Sequence, residues 1–149
     1  MTIESQIQGK LSETFGEKIL EVSIPRDRRM FIKILPPQVK EVIQYLKQEF
    51  GMTHLTTITA SDVVDDIEVI YHFFCQGVTL SLKTLVPKAN PIIDTITPII
   101  GGAILYEREI QDLLGLKVKD HPSPRRLILP EEWDEGVYPL RKDYEVKES

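Results

Sequence analysis

The sequence predicts an α+β fold: a mainly antiparallel sheet covered by helices, followed by a C-terminal helix and an extended tail that wraps a partner. Three observations carry this expectation. Apolar residues recur at helical spacing in three segments, β-branched and aromatic runs bounded by turn residues lie between them, and neither period continues beyond Gly115. With 149 residues, 42% of them hydrophobic and 28% charged, the chain has the size and composition of one ordinary globular domain. The expected division is an α+β domain over residues 1–116 and an interface tail over 117–149.

Ile3, Ile7, Leu11 and Phe15 stand four residues apart with Gly16 behind them, so a helix is expected over 3–15. The runs 19–24 and 30–35 flank Pro25-Arg26-Asp27-Arg28-Arg29, whose turn composition predicts a hairpin. Pro36 and Pro37 end it, and Val39, Val42, Ile43, Leu46 and Phe50 share one helical face that stops at Gly51. Strands are expected over 55–64, 67–74 and 78–86, separated by Asp65-Asp66 and by Cys75-Gln76-Gly77, as an antiparallel meander. Both faces of 67–74 are apolar, which places that strand in the middle of the sheet. Residues 87–98 read as a proline-punctuated crossover without a period. A helix follows over 103–114, with Tyr106, Ile110, Leu113 and Leu114 on its apolar face and Gly115 as its stop. The proline- and charge-rich remainder cannot bury much apolar area by itself, so it needs a surface to lie on.

Several function classes are disfavoured at this level. The net charge of -5 argues against a dedicated nucleic-acid binder. Three basic clusters remain, at Arg26, Arg28 and Arg29, at Arg125 and Arg126, and at Arg141 and Lys142, each mixed with acids in the manner of solvated turns or protein contacts. One cysteine, Cys75, supplies neither a disulfide nor the thiolates of an iron-sulfur cluster. The histidines His54, His72 and His121 lack paired ligand spacing, and neither Gly9-Lys10 nor Gly101-Gly102 completes a phosphate-binding fingerprint. The longest apolar stretch, 98–106, is about half the roughly 18 residues that span a bilayer, and the N-terminus carries no secretory pattern. A cytoplasmic location is expected.

The candidate residues cluster late in the chain. Glu107, Arg108, Glu109 and Asp112 form a charged helix face on which Arg108 and Asp112 are i, i+4 partners. Arg125-Arg126 follows closely, and guanidinium groups bind carboxylates through paired hydrogen bonds, so this helix face is expected to pin the tail to the domain. His121 is favoured as a hydrogen-bonded imidazole fixing the turn before Pro122. The rival is a small enzyme that uses His121 with Glu107 or Asp112 as an acid-base pair.

The run Tyr106 to Leu116 with its Glu107-Arg108-Glu109 triplet, the turn His121-Pro122-Ser123-Pro124-Arg125-Arg126, Trp133, and the closing Pro139-Leu140-Arg141-Lys142-Asp143-Tyr144 together resemble the C subunit family of respiratory complex I. The resemblance covers nearly the whole chain. It implies a peripheral-arm subunit without a redox cofactor, packed against the large subunit that forms the quinone site in complex I and the nickel-iron site in related hydrogenases. Iron-sulfur clusters, and nickel-iron in the hydrogenase branch, would then belong to partner subunits. The chain would sit at the cytoplasmic face of the membrane, attached indirectly.

By the same resemblance, no catalytic, cofactor or metal residue is expected here. Glu107, Arg108, Glu109, Asp112, Gly115, His121, Pro122, Arg125 and Arg126 would hold the helix-to-tail geometry, and Pro139, Leu140, Arg141, Lys142, Asp143 and Tyr144 would anchor the partner. Ile104-Leu105 stands where the family commonly has Asn-Trp, Gln111 and Leu114 replace aromatics, and Pro124 precedes the two arginines. These departures resemble the membrane-bound hydrogenase or archaeal ferredoxin-linked branch more than ordinary complex I. The alternatives are the C subunit of a quinone-reducing complex I proper, or a stand-alone docking module for a soluble electron carrier.

Overall fold

The computed structural model describes residues 2–130 and 132–145. It is an α+β fold with a five-stranded sheet and three α-helices, as the sequence predicts. The chain groups into two compact units, one of Met1–Thr57 with Ile70–Thr84, the other of Ile58–Val69 with Leu85–Ser149.

In the first unit, helix α1 (Ile3–Phe15) starts where the Thr2 hydroxyl accepts the Ser5 N–H at 3.1 Å, satisfying one of the free donors of the first turn. It buries Ile7 and Leu11. Helix α2 (Val39–Phe50) begins after Pro36-Pro37 and ends at Gly51, whose φ of 65° lets its N–H reach the carbonyls of Leu46 and Lys47. It buries Val39, Val42, Ile43 and Leu46, each fully buried branched side chain contributing about 1.5 to 3 kcal/mol. Phe15 and Tyr45 join the two helices edge to face, with centroids 5.3 Å apart.

Strands β1 (Ile19–Arg26) and β2 (Arg29–Ile34) form the expected hairpin, with Val22 opposite Ile32 and irregularities on either side of that register. Met30, Ile32 and Ile34 are buried while Arg29, Phe31 and Lys33 are half-buried, the two-residue period of a sheet with one covered face. Strands β3 (Leu55–Asp62), β4 (Asp66–Cys75) and β5 (Val78–Pro87) complete the sheet in the order β1-β2-β5-β4-β3. The turn between β4 and β5 has positive φ at both Gln76 and Gly77, the geometry that matches strand twist in a two-residue hairpin.

Two expectations change. The central strand is β5 rather than β4, because β2 pairs with β5 in parallel, Ile32 against Leu82. Strand β4 is interior, between β5 and β3, with Ile67, Val69, Tyr71 and Phe73 buried on one face and Phe74 exposed on the other. Cys75 ends β4 instead of lying in the turn, and its thiol donates to the Phe50 carbonyl at 3.2 Å.

In the second unit, the stretch read as a crossover without a period contains β6 (Ile92–Asp94). It pairs in parallel with β7 (Lys117–Lys119), beyond helix α3 (Ala103–Leu114). A parallel pair needs such a crossover, and α3 supplies it. Ile93 and Val118, opposite each other, are both buried, so three residues per strand suffice to close the unit around α3.

Candidate partner interface

The candidate residues lie on α3 and the segment after it, all within the second unit. Helix α3 does not present a simple charged face. Ile110 and Leu114 are buried as expected, but so are Glu107 and Asp112, while Tyr106 and Leu113 are only half-buried. A carboxylate can be buried when hydrogen bonds replace its hydration, and both acids meet that condition.

Glu107 accepts the Thr95 hydroxyl at 2.6 Å and the Ile96 N–H at 2.9 Å. Its carboxyl is held above the usual carboxylate range by burial, which the two hydrogen bonds and the nearby His121 oppose. His121 Nε2 lies 3.8 Å from Glu107 Oε1 and 3.0 Å from the Ile104 carbonyl. Its Nδ1 accepts the Ser123 N–H at 3.0 Å, which leaves Nε2–H as the donor. The imidazole therefore ties the turn before Pro122 to α3. Glu107 and His121 meet, yet both side chains are sealed from solvent, and an acid-base pair needs access to a substrate.

Arg108 and Asp112 do not serve each other. Arg108 donates to the carbonyls of Arg125 at 2.7 Å and Arg126 at 2.9 Å. Asp112 Oδ2 accepts three consecutive backbone N–H groups, of Leu127 at 2.7 Å, Ile128 at 2.9 Å and Leu129 at 3.3 Å. The helix thus grips the Arg125-Arg126 turn by its backbone, and the arginine side chains are not the gripping groups. Arg126 instead donates to the Pro130 carbonyl at 2.8 Å, while Arg125 is exposed and Glu109 half-buried.

The closing motif is held in the same way. Leu140 N–H donates to the Leu113 carbonyl at 3.0 Å, and the Arg141 guanidinium, stacked 4.7 Å from the centre of the Tyr138 ring, donates to the Leu114 carbonyl at 2.7 Å. These groups close over Gly115, whose φ is 76°; a Cβ there would fall inside the Tyr138 ring edge and 2.7 Å from an Arg141 nitrogen. The Lys142 N–H donates to Asp62 at 2.8 Å, and Lys88 bridges Asp62 at 2.6 Å and Asp143 at 3.9 Å. The Lys88 ammonium and the Lys142 N–H hold the Asp62 carboxyl well below the usual carboxylate range. Tyr144 stacks on Trp133 with centroids 6.2 Å apart, and Pro139 is half-buried while Pro122 is exposed.

With its backbone held, the segment turns large apolar side chains outward: Leu127 is 39% exposed, Ile128 54% and Leu140 56%. Sequence reasoning missed Asp62, Lys88, Thr95 and Tyr138. Of these only Asp62 carried a signal, its place beside the turn-forming Asp65-Asp66. Among the described residues no three His, Cys, Asp or Glu side chains converge as metal ligands, and no helix is long and apolar enough to cross a membrane.

The family model described as respiratory-chain NADH dehydrogenase, 30 kDa subunit, matches residues 32–149. The chain belongs to this 30 kDa subunit family. It is 34% identical over 148 residues to the C subunit of the F(420)H(2) dehydrogenase of Methanosarcina mazei, covering 97% of this chain and 90% of that one. It is 26% identical over 150 residues to the beta subunit of the membrane-bound hydrogenase of Pyrococcus furiosus, covering 96% and 87%. Its fold matches a chain in the structure of the membrane-bound sulfane sulfur reductase, an archaeal respiratory membrane complex, with a TM-score of 0.79 at 23% identity over 95% of this chain and 85% of that one.

In this member of the 30 kDa family, Gln111 Nε2 donates to the Pro124 carbonyl at 2.9 Å, so the amide helps α3 hold the turn that follows it.

Proposed function

We propose that this chain is a non-catalytic, peripheral subunit of a membrane-bound, complex I-related oxidoreductase of the hydrogenase-type or ferredoxin-linked branch. It scaffolds the large subunit and the iron-sulfur subunits, with 117–149 as the interface tail and Pro139 to Tyr144 as the partner anchor. The redox groups, iron-sulfur clusters and in the hydrogenase branch nickel-iron, belong to those partners, and the assembly sits at the cytoplasmic face of the membrane.

One observation carries this reading: the tail is fixed by its own backbone groups on Asp112, Arg108 and Asp62 and by the Arg141 side chain on the Leu114 carbonyl, while Leu127, Ile128 and Leu140 face outward. A segment held open with its apolar side chains exposed has the form of a preorganised interface, since ordering has already been completed before the partner arrives. The likeness to subunits of an F(420)H(2) dehydrogenase and of a membrane-bound hydrogenase, over nearly the whole of each chain, supports it. Membership of the respiratory-chain 30 kDa family favours a second reading, the C subunit of a quinone-reducing complex proper.

The test is gentle membrane solubilisation and pull-down on a tagged chain, with mass spectrometry and metal analysis of what co-purifies. Recovery with a large nickel-containing subunit and iron-sulfur proteins places it in a hydrogenase; a nickel-free iron-sulfur assembly places it with a quinone- or ferredoxin-linked complex. A partnerless chain that turns over substrate overturns the proposal.

A further inference from the structure

The stacked pair of Trp133 and Tyr144 borders a cavity of about 420 Å³ in the tail. Pro130 and Val137 complete its apolar side, and Glu132, Asp134 and Glu145 supply its polar lining. The frame of the cavity is already formed. The indole N–H of Trp133 donates to the Val137 carbonyl at 2.8 Å and its backbone N–H to the Pro130 carbonyl at 3.0 Å, so the ring is fixed with its one polar group satisfied. The Tyr144 N–H donates to the Arg141 carbonyl at 3.1 Å, which ties the second ring to the closing motif. Trp133, Val137 and Tyr144 are half-buried, whereas Glu132 and Glu145 are exposed.

Aromatic faces attract cations, indole most strongly, and carboxylates beside them add to the attraction. The tail makes this contact once within itself, where the Arg141 guanidinium lies 4.7 Å from the centre of the Tyr138 ring. Trp133 and Tyr144 have no such occupant: among the described residues no arginine or lysine stacks on either ring, and none lines the cavity. The cations of this part of the chain have other places. Arg126 donates to the Pro130 carbonyl at 2.8 Å and lines the neighbouring cavity with Gln111 and Tyr138. Lys88 bridges Asp62 and Asp143, and Arg141 is held on the Leu114 carbonyl.

We infer that this cavity receives an arginine side chain of the large partner subunit. The inference rests on the reading of the tail as the interface and adds the chemistry of what one part of it accepts. A guanidinium offers a flat face to the rings and N–H groups to Glu132 and Glu145, which a lysine ammonium does only in part. An apolar side chain suits the rings, but it strips water from the two carboxylates and gives them nothing in exchange. An anionic lipid surface is repelled by the same acids. The cavity begins at Pro130, two residues beyond the exposed Leu127 and Ile128, so a partner segment that covers those side chains continues into it. Aromatic and arginine side chains are the ordinary anchors of such interfaces.

Trp133 is the only tryptophan of the chain, so its fluorescence in the free full chain reports on the cavity directly. The probe is an acetylated Gly-Arg-Gly amide, compared with the same peptide carrying neutral citrulline, or leucine, in place of arginine. The expected result is a saturable change with the arginine peptide and binding roughly tenfold weaker with the other two. E132Q/E145Q should weaken arginine binding roughly fivefold at an unchanged melting temperature, and E13Q/E49Q, which removes equal charge from α1 and α2, less than about twofold. In the complex, E132R/E145R should lower recovery of the large subunit with the tagged chain roughly tenfold. Equal response to the three peptides, or equal weakening by the control variant, overturns the inference. So does binding seen only in K147Q, which would mean that the cavity holds a lysine of this chain. Assembly lost with L127S/I128S but not with E132R/E145R overturns it and leaves the tail reading standing; assembly indifferent to both pairs overturns the tail reading, and the assignment of the occupant with it.

Discussion

Replacing Asp112 tests how the tail is held. Its Oδ2 collects three backbone N–H groups, at 2.7, 2.9 and 3.3 Å, on a residue only 5% exposed. Hydrogen bonds to a charged acceptor contribute about 1.5 to 3 kcal/mol each, and the lower end applies because Leu127 and Ile128 are exposed and water can replace the carboxylate. Counting the two shorter bonds, Asp112→Ala should destabilise the closed turn by about 3 kcal/mol, more than a hundredfold in its opening equilibrium. Asp112→Asn keeps one oxygen that can accept and loses the charge, so its effect should be about half that, roughly tenfold. Global melting should move less than local opening, since alanine has the higher helix propensity and partly offsets the loss within α3. Amide hydrogen exchange at residues 127–129 reads the effect directly. Unchanged protection in Asp112→Ala, or equal loss in the alanine and asparagine variants, would refute the reasoning.

Gly115→Ala should destabilise the chain by about 1 to 2 kcal/mol for the left-handed backbone alone and also displace Tyr138 and Arg141, so limited proteolysis should cleave near 138–144 while α3 stays intact. Because the Glu107 carboxyl is raised from its ordinary 4.5, the folded state binds its proton more tightly than the unfolded state. The stability this contributes is present below 4.5 and lost as pH rises through the folded value, so wild type should lose stability relative to Glu107→Gln as urea melts are moved from about pH 4 upwards; parallel curves would contradict it. Arg126→Ala removes the hydrogen bond to the Pro130 carbonyl, about 1 to 2 kcal/mol of local order, and should lower the yield of assembled complex in native gels before it changes turnover per assembled complex.

Helix α2 was legible because period and punctuation agreed: five apolar residues on one face, prolines before and a glycine after. The three-residue strands β6 and β7 were not, since they have no measurable period and each is stable only against the other across α3. The parallel junction of β2 with β5 was hidden for a related reason, as pairing between distant segments leaves no local mark. At the site, the Glu107-Arg108-Glu109 and His121 to Arg126 motifs marked where the contacts would be. They did not reveal that the partners are main-chain groups, so the expected carboxylate-to-arginine pairing is replaced by Asp112 on N–H groups and Arg108 on carbonyls. The burial of Glu107 depends on a hydroxyl and an N–H delivered by Thr95 and Ile96, which no helix pattern contains. Asp62 joins the site only through folding that brings Lys88 and the Lys142 N–H to it.

If the segment after α3 is the surface offered to the large partner, lysine cross-linking of the purified, assembled complex should show it, with the linked peptides identified by mass spectrometry. Links from Lys117, Lys119 and Lys142 to the large subunit are expected. Links to that partner from Lys10, Lys18 and Lys40 alone, with Lys117, Lys119 and Lys142 unlinked but reactive, would contradict the assignment of the tail as the interface.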